Sequence, residues 1–200
     1  LDTKQKILIT AFNLFLKNGY ENTSLSEIAK MINITKPALY YYYTSKEALY
    51  LDVVEFFFSE MEKMINKIFS KNYSLKERTR SLFTSMNLMI NYQKNFIQIE
   101  MNDILLKIYF FIYESIMKFP DTRNRMKILY KDLAENFKIK LIEAQKAGEI
   151  RDDLDADVLA FEFNALIEGI YLMIIFDPSI DIDSLGVKLF ENYWKRLEKN

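Results

Sequence analysis

Apolar residues recur at helical spacing along almost the whole chain, and this pattern restricts the fold more than any other feature. Ile7, Ala11, Leu14 and Phe15 make one such face, and Leu49, Val53, Phe57, Met61, Met64 and Ile68 a longer one. Met126, Leu129, Tyr130, Leu133, Phe137, Leu141 and Ala144 make a third. Four glycines and three prolines in 200 residues leave few sites for the tight turns of a sheet. No strand signal, internal repeat or low-complexity linker competes, so the expected fold is all-α with about nine helices.

Start and stop signals divide the first fifty residues finely. Gly19 in "KNGY" suits the left-handed position after a first helix. Ser24-Leu-Ser-Glu27 reads as a capping box that opens a short second helix with Leu25, Ile28, Ala29 and Ile32 inward. Asn33 suits a left-handed turn, Thr35 caps a third helix, and Pro37 falls in its first turn, where a missing N–H costs little. Thr44-Ser-Lys-Glu47 reads as a second box that starts a long fourth helix. Beyond it, helices are expected near 75–93, 96–118 with a break, 121–147, 154–177 and 181–198.

Whole classes of chemistry are excluded by composition. With no cysteine there are no disulfides, thiolate metal sites or thiol nucleophiles. With no histidine the usual general base and zinc ligand are also missing. No acid and base pair stands out, so neither an enzyme nor a metal or cofactor site is expected. The segment 158–176 is long and apolar enough to consider as a membrane span, yet it carries Glu162, Asn164 and Glu168, each costly in hydrocarbon. A helix buried between protein surfaces explains it better, and no membrane partner and a cytoplasmic location are expected.

Residues 1–50 hold six lysines against four acids, whereas the rest hold 21 bases against 24 acids. A mildly basic end on an acidic body suits nucleic acid at one end only. That end also contains "TKPALYYYYTSK" (35–46), whose four successive tyrosines cannot all face one core. Two short helices joined by a tight turn and packed on an earlier helix form a helix-turn-helix. Ala29 allows the close approach, Ile34 and Leu39 anchor the second helix, and Lys36, Ala38 and some tyrosines are left for a groove. Leu39 and Tyr43 are expected to face protein, and Tyr40 and Tyr42 the DNA backbone.

Ser24 to Tyr50, "SLSEIAKMINITKPALYYYYTSKEALY", resembles the N-terminal DNA-binding module of the TetR family of transcriptional regulators, and the likeness extends back through "KILITAFNLFLKNGYENT". The turn position that is commonly glycine is Asn33, and the aromatic often found as phenylalanine is Tyr43, whose hydroxyl then needs a partner. The resemblance implies a three-helix DNA-binding domain over residues 1–48 and a larger helical effector-binding and dimerisation domain over 49–200. It implies phosphate contacts by Tyr40 and Lys46, with Tyr41 and Tyr42 reaching the backbone or base edges. Thr35, Lys36, Pro37 and Ala38 would open the recognition helix, and Ser24 and Ser26 the supporting one. No arginine precedes Arg78, so the commonest guanine reader is missing and an A/T-rich operator is expected.

The resemblance also implies an effector pocket in the body and dimerisation through the last two helices. The segment 82–142 is rich in Phe, Tyr and Met, and Phe83, Met86, Met89, Tyr92, Met101, Tyr109, Tyr113 and Phe137 are the candidate ligand-binding residues. At helical spacing the same residues also suit a plain core. Glu100, Asp103 and Glu114 suit either a cationic group or a solvated face. The helix over 155–176 is apolar nearly all round, so Phe161, Leu166, Ile170 and Ile174, with Leu189 and Tyr193 on the last helix, are the candidate dimer contacts. The function these features favour is a ligand-responsive transcriptional regulator, a repressor released from double-stranded operator DNA by a small, largely apolar or aromatic effector. The alternative is a helical interaction protein that docks DNA or protein constitutively, without an effector.

Overall fold

Nine helices are found among the described residues of the computed structural model, which are 2–69, 73–84, 86 and 101–199. They are α1 (Thr3–Asn18), α2 (Leu25–Met31), α3 (Lys36–Tyr42), α4 (Lys46–Phe69), α5 (Leu75–Thr84), α6 (Met101–Lys118), α7 (Pro120–Lys146), α8 (Ala156–Phe176) and α9 (Ile182–Leu197). The all-α fold is as the sequence predicts, and the one β feature among these residues is an isolated bridge between Ile150 and Glu198. The chain divides into two compact units, residues 1–64 with 91–123 and residues 65–90 with 124–200. The first unit thus extends past the expected functional boundary at residue 48.

Several starts and stops differ in detail from the sequence reading. Asp2 and Gln5 close a reciprocal capping box at α1, and Ser74 and Glu77 exchange similar bonds before α5. At α4 the cap is Ser45 rather than Thr44: its Oγ accepts from the Ala48 amide at 3.0 Å, one residue later than predicted. Gly19 has φ +77° but ψ 171°, so it occupies an extended, positive-φ region open essentially to glycine alone, not the left-handed helical one. Asn33 does adopt the left-handed turn, with φ 56°.

In the first unit α1 packs against α2 and α6, and α2 against α3. Ile7, Phe12 and Phe15 from α1 are buried with Leu49, Tyr50 and Val53 from α4 and with Ile108 and Phe111 from α6. Edge-to-face rings tie these helices, with Tyr50 4.8 Å from both Phe15 and Tyr20 and Phe12 5.5 Å from Phe111. In the second unit Phe137 stacks on Phe163 at 4.2 Å, and Phe83 meets Phe163 edge-on at 5.6 Å. α5 lies so close to α9 that a Cβ on Gly186 would sit 2.4 Å from the Phe83 carbonyl oxygen. α8 is long and apolar enough to cross a membrane by length and composition, and its own chain covers only part of it, leaving Val158, Phe161, Leu172, Met173 and Phe176 exposed. Glu168 on this helix accepts a 2.6 Å bond from the Tyr130 hydroxyl.

Candidate nucleic-acid interface

The short α2 and α3 are held by their caps and by the turn between them. Ser24 Oγ accepts from the Glu27 amide at 3.1 Å, and Thr35 Oγ1 from the Ala38 amide at 3.2 Å. A cap hydroxyl that accepts from the backbone keeps its own proton to give to a phosphate oxygen. Between the two helices the Ile34 amide donates to the Ala29 carbonyl at 3.0 Å, which the left-handed Asn33 makes possible. Ala29 is buried beside the turn, and Ile34 is half-buried.

The tyrosine run splits by face. Leu39 and Tyr43 are buried, whereas Tyr40, Tyr41 and Tyr42 are 43%, 86% and 39% exposed. The Tyr43 hydroxyl finds its partner in Asp52, donating to Oδ2 at 3.0 Å. Burial first, and then the Asp52 carboxylate, push this phenol well above the usual tyrosine range, so it remains a donor. Tyr41 meets Tyr42 edge-on at 5.4 Å, and the Lys36 ammonium lies 5.9 Å from the centre of the Tyr40 ring. Ser24, Ser26, Thr35, Lys36 and Pro37 are exposed and Ala38 is half-buried. Hydroxyls at the starts of α2 and α3, three phenols and the ammonium groups of Lys30 and Lys36 are therefore exposed, and α3 carries no acidic residue.

Lys46, for which a phosphate contact is expected, is turned towards the α1–α2 turn in this structure. Its Nζ donates to the carbonyls of Tyr20 at 2.7 Å, Thr23 at 3.1 Å and Glu21 at 3.2 Å. All three ammonium protons are thereby directed at the α1–α2 turn, and the Tyr20 ring lies 4.3 Å beneath. Glu114, considered as a ligand for a cation, instead accepts from the Tyr20 amide with both oxygens, at 2.9 and 3.1 Å.

The described candidate effector residues are divided between the two units. Phe83, Met86 and Phe137 are buried core of the second unit, where they pack with Phe163 and its neighbours. Tyr109 and Tyr113 belong to α6 in the first unit, half-buried and exposed respectively. Met89, Tyr92 and Glu100 lie outside the described residues, as do the side chains of Met101 and Asp103. A surface cavity of about 660 Å³ in the second unit, bordered by Leu159, Glu162, Tyr193 and Arg196, is lined by none of the candidate effector residues. Of the candidate dimer contacts, Phe161 is exposed and Leu166, Ile174 and Leu189 are half-buried. Ile170 and Tyr193 are buried in the second unit.

Comparison with known proteins places this surface in a family. The model for bacterial regulatory proteins of the tetR family matches residues 7–53, and that for the tetracyclin repressor-like C-terminal domain matches residues 111–181, together more than half of the chain. YuxN of Bacillus subtilis, an HTH-type transcriptional regulator, is 36% identical over 101 residues, 50% of this chain and 35% of its own length. IcaR of Staphylococcus epidermidis, a negative transcriptional regulator of the biofilm operon icaADBC, is 38% identical over 80 residues, 40% of this chain and 43% of its own. The chain thus matches less than half the length of these relatives. The fold is shared along almost the whole chain with a regulator from Saccharomonospora viridis solved with choline (TM-score 0.76, 18% identity, 98% of both chains). It is also shared with FadR of B. subtilis solved with stearoyl-CoA (TM-score 0.70, 16% identity, 96% of this chain and 98% of that one). With both its helix-turn-helix and its helical body matched, the chain belongs to the TetR family of bacterial regulatory proteins.

Proposed function

We propose that this chain is a cytoplasmic, homodimeric transcriptional repressor that binds double-stranded operator DNA through α2 and α3 and is released by a small effector. The observation that carries the reading is the exposure on α3 of three phenols and Lys36, together with the exposed cap hydroxyls Ser24 and Thr35 and the exposed Ser26. Tyr40 and Tyr42 are assigned to phosphates, and Tyr41, Thr35, Lys36, Pro37 and Ala38 to the groove. IcaR, a negative regulator, supports repression, and the exposed apolar stripe of α8 supports pairing of two copies through the last two helices. Effector binding would shift α4 and with it the recognition helices, with a coupling of about 1–3 kcal/mol.

The experiment is a fluorescence-anisotropy titration against the duplex upstream of the chain's own gene, beside a scrambled duplex, at several salt concentrations. Operator binding that exceeds the scrambled control by about 10³-fold or more, with Tyr40→Ala losing about tenfold, is expected. Equal weak binding to both duplexes, vanishing with salt, contradicts the reading. The packing of Phe83, Met86 and Phe137 into the core favours a second reading, constitutive DNA binding without an effector. Adding choline, a long-chain acyl-CoA and a panel of aromatic compounds to the bound complex separates the two, since release by any of them requires the first.

A further inference from the structure

We infer that Lys46 is a positioning residue and not a phosphate ligand, and that with Glu114 it clamps the backbone of Tyr20 on both sides, fixing the turn from which the helix-turn-helix starts. The inference rests on the DNA-binding reading for its functional consequence, though the clamp itself is a matter of geometry. From α4, the Lys46 ammonium takes the Tyr20 carbonyl at 2.7 Å and two further carbonyls of the turn. From α6, the Glu114 carboxylate takes the Tyr20 amide on the other side, at 2.9 and 3.1 Å. One residue therefore carries a charge-assisted bond on each of its backbone groups, from two different helices.

The surroundings are built for this arrangement. Gly19 precedes Tyr20 in a backbone conformation that other residues rarely adopt, and a Cβ there would lie 3.4 Å from Glu114 Oε1. Thr23, buried at the far end of the turn, donates its hydroxyl to the Gly19 carbonyl at 2.9 Å, and the next residue is Ser24, the cap of α2. Lys118 of α6 pairs with the Glu21 carboxylate, and the Tyr20 ring is covered by Tyr50 and Phe119. Because a lysine ammonium has three protons and all three are engaged, a phosphate contact by Lys46 would have to break bonds that hold α2 in place.

The test uses the full chain and three changes, Lys46→Met, Glu114→Ala and the pair. Operator affinity is measured over a salt series, and amide hydrogen exchange is followed in residues 20–24 without DNA. Each phosphate contact contributes about 0.9 to the slope of log K against log salt. The clamp predicts that each single change weakens operator binding about tenfold with the slope unaltered, and that the pair loses little more than either one. Glu114→Gln, which keeps one acceptor, should recover much of the loss, and exchange should quicken in residues 20–24 in Lys46→Met and Glu114→Ala while the second unit keeps its protection. A slope lower by about one unit in Lys46→Met overturns the inference, because Lys46 then neutralises a phosphate. Unchanged exchange in both single variants, or fully additive losses, overturns it too. A wild-type chain that does not prefer its operator defeats the regulator reading, while exchange still decides the clamp.

Discussion

At the scale of single residues, Tyr43 and Asp52 illustrate how unequal the two ends of one hydrogen bond are. Tyr43 is buried, while the Asp52 side chain is 48% exposed and also faces Lys4 at 3.4 Å. Tyr43→Phe returns Asp52 to water and should cost less than about 1 kcal/mol. Asp52→Ala instead leaves the phenol buried without its acceptor, which should cost about 1–3 kcal/mol, with little of that due to the exposed Lys4 pair. Urea unfolding of both variants checks the order, and a larger loss in Tyr43→Phe would contradict it. The need for this bond was legible in the sequence, since a tyrosine at the inward position after α3 must satisfy its hydroxyl. Its partner was not, because nothing in the local pattern of α4 marks Asp52 among several exposed acids.

Among elements, caps were legible to within one residue, and close helix contacts were not. Asn33 takes the left-handed turn and Thr35 caps α3 as read, and Ser24 caps α2 through the Glu27 amide, but Thr44 and Ser45 are adjacent and equally suited, and the cap falls on Ser45. Gly186 carried no signal, being a lone glycine in an amphipathic run, yet it sets the approach of α5 to α9. Gly186→Ala should gain up to about 1 kcal/mol of helix propensity but must displace the Phe83 backbone, so a net loss of about 1–2 kcal/mol is expected. Gly169 in α8 has no atom within 4 Å of a built Cβ, so Gly169→Ala should gain up to about 1 kcal/mol instead. Trp194, the single tryptophan and buried in the second unit, reports both by fluorescence-detected melting. Opposite signs for the two glycines are required, and destabilisation by both would contradict the assignment of Gly186 alone to a close helix contact.

For the whole molecule, what stayed illegible is what joins distant parts of the chain. Lys46 reaches back 26 residues to Tyr20 and Glu114 reaches back 94, and neither separation leaves a periodic trace. Likewise Phe83, Met86 and Phe137 have the composition of a ligand pocket and the packing of a core, which residue type alone cannot separate. Composition does determine how the molecule responds to pH. With no histidine and no cysteine, no side chain has an ordinary pKa between the carboxylates and tyrosine. Buried tyrosines occur in both units, and their pKa values move one way: burial is the leading cause at Tyr43 and Tyr50 in the first unit and at Tyr171 in the second, and it pushes Tyr193 up to about 12. A phenol whose folded pKa exceeds its unfolded value of 10.0 contributes stability that is intact below that value. It is lost as pH rises towards the folded pKa, because the unfolded chain releases the proton first. Lys118 and Lys138, raised by hydrogen bonds to Glu21 and Asp157, act in the same direction, though Lys118 is exposed and Lys138 only half-buried, so that both add little. The urea midpoint should therefore be level from about pH 6 to 9 and fall above about pH 10. Tyr193→Phe should soften the fall seen by Trp194, and because the Tyr193 hydroxyl is buried without a hydrogen-bond partner, it should cost little or nothing at neutral pH. A step in stability near pH 6.5 would contradict this account, since the sequence holds no side chain that ordinarily titrates there.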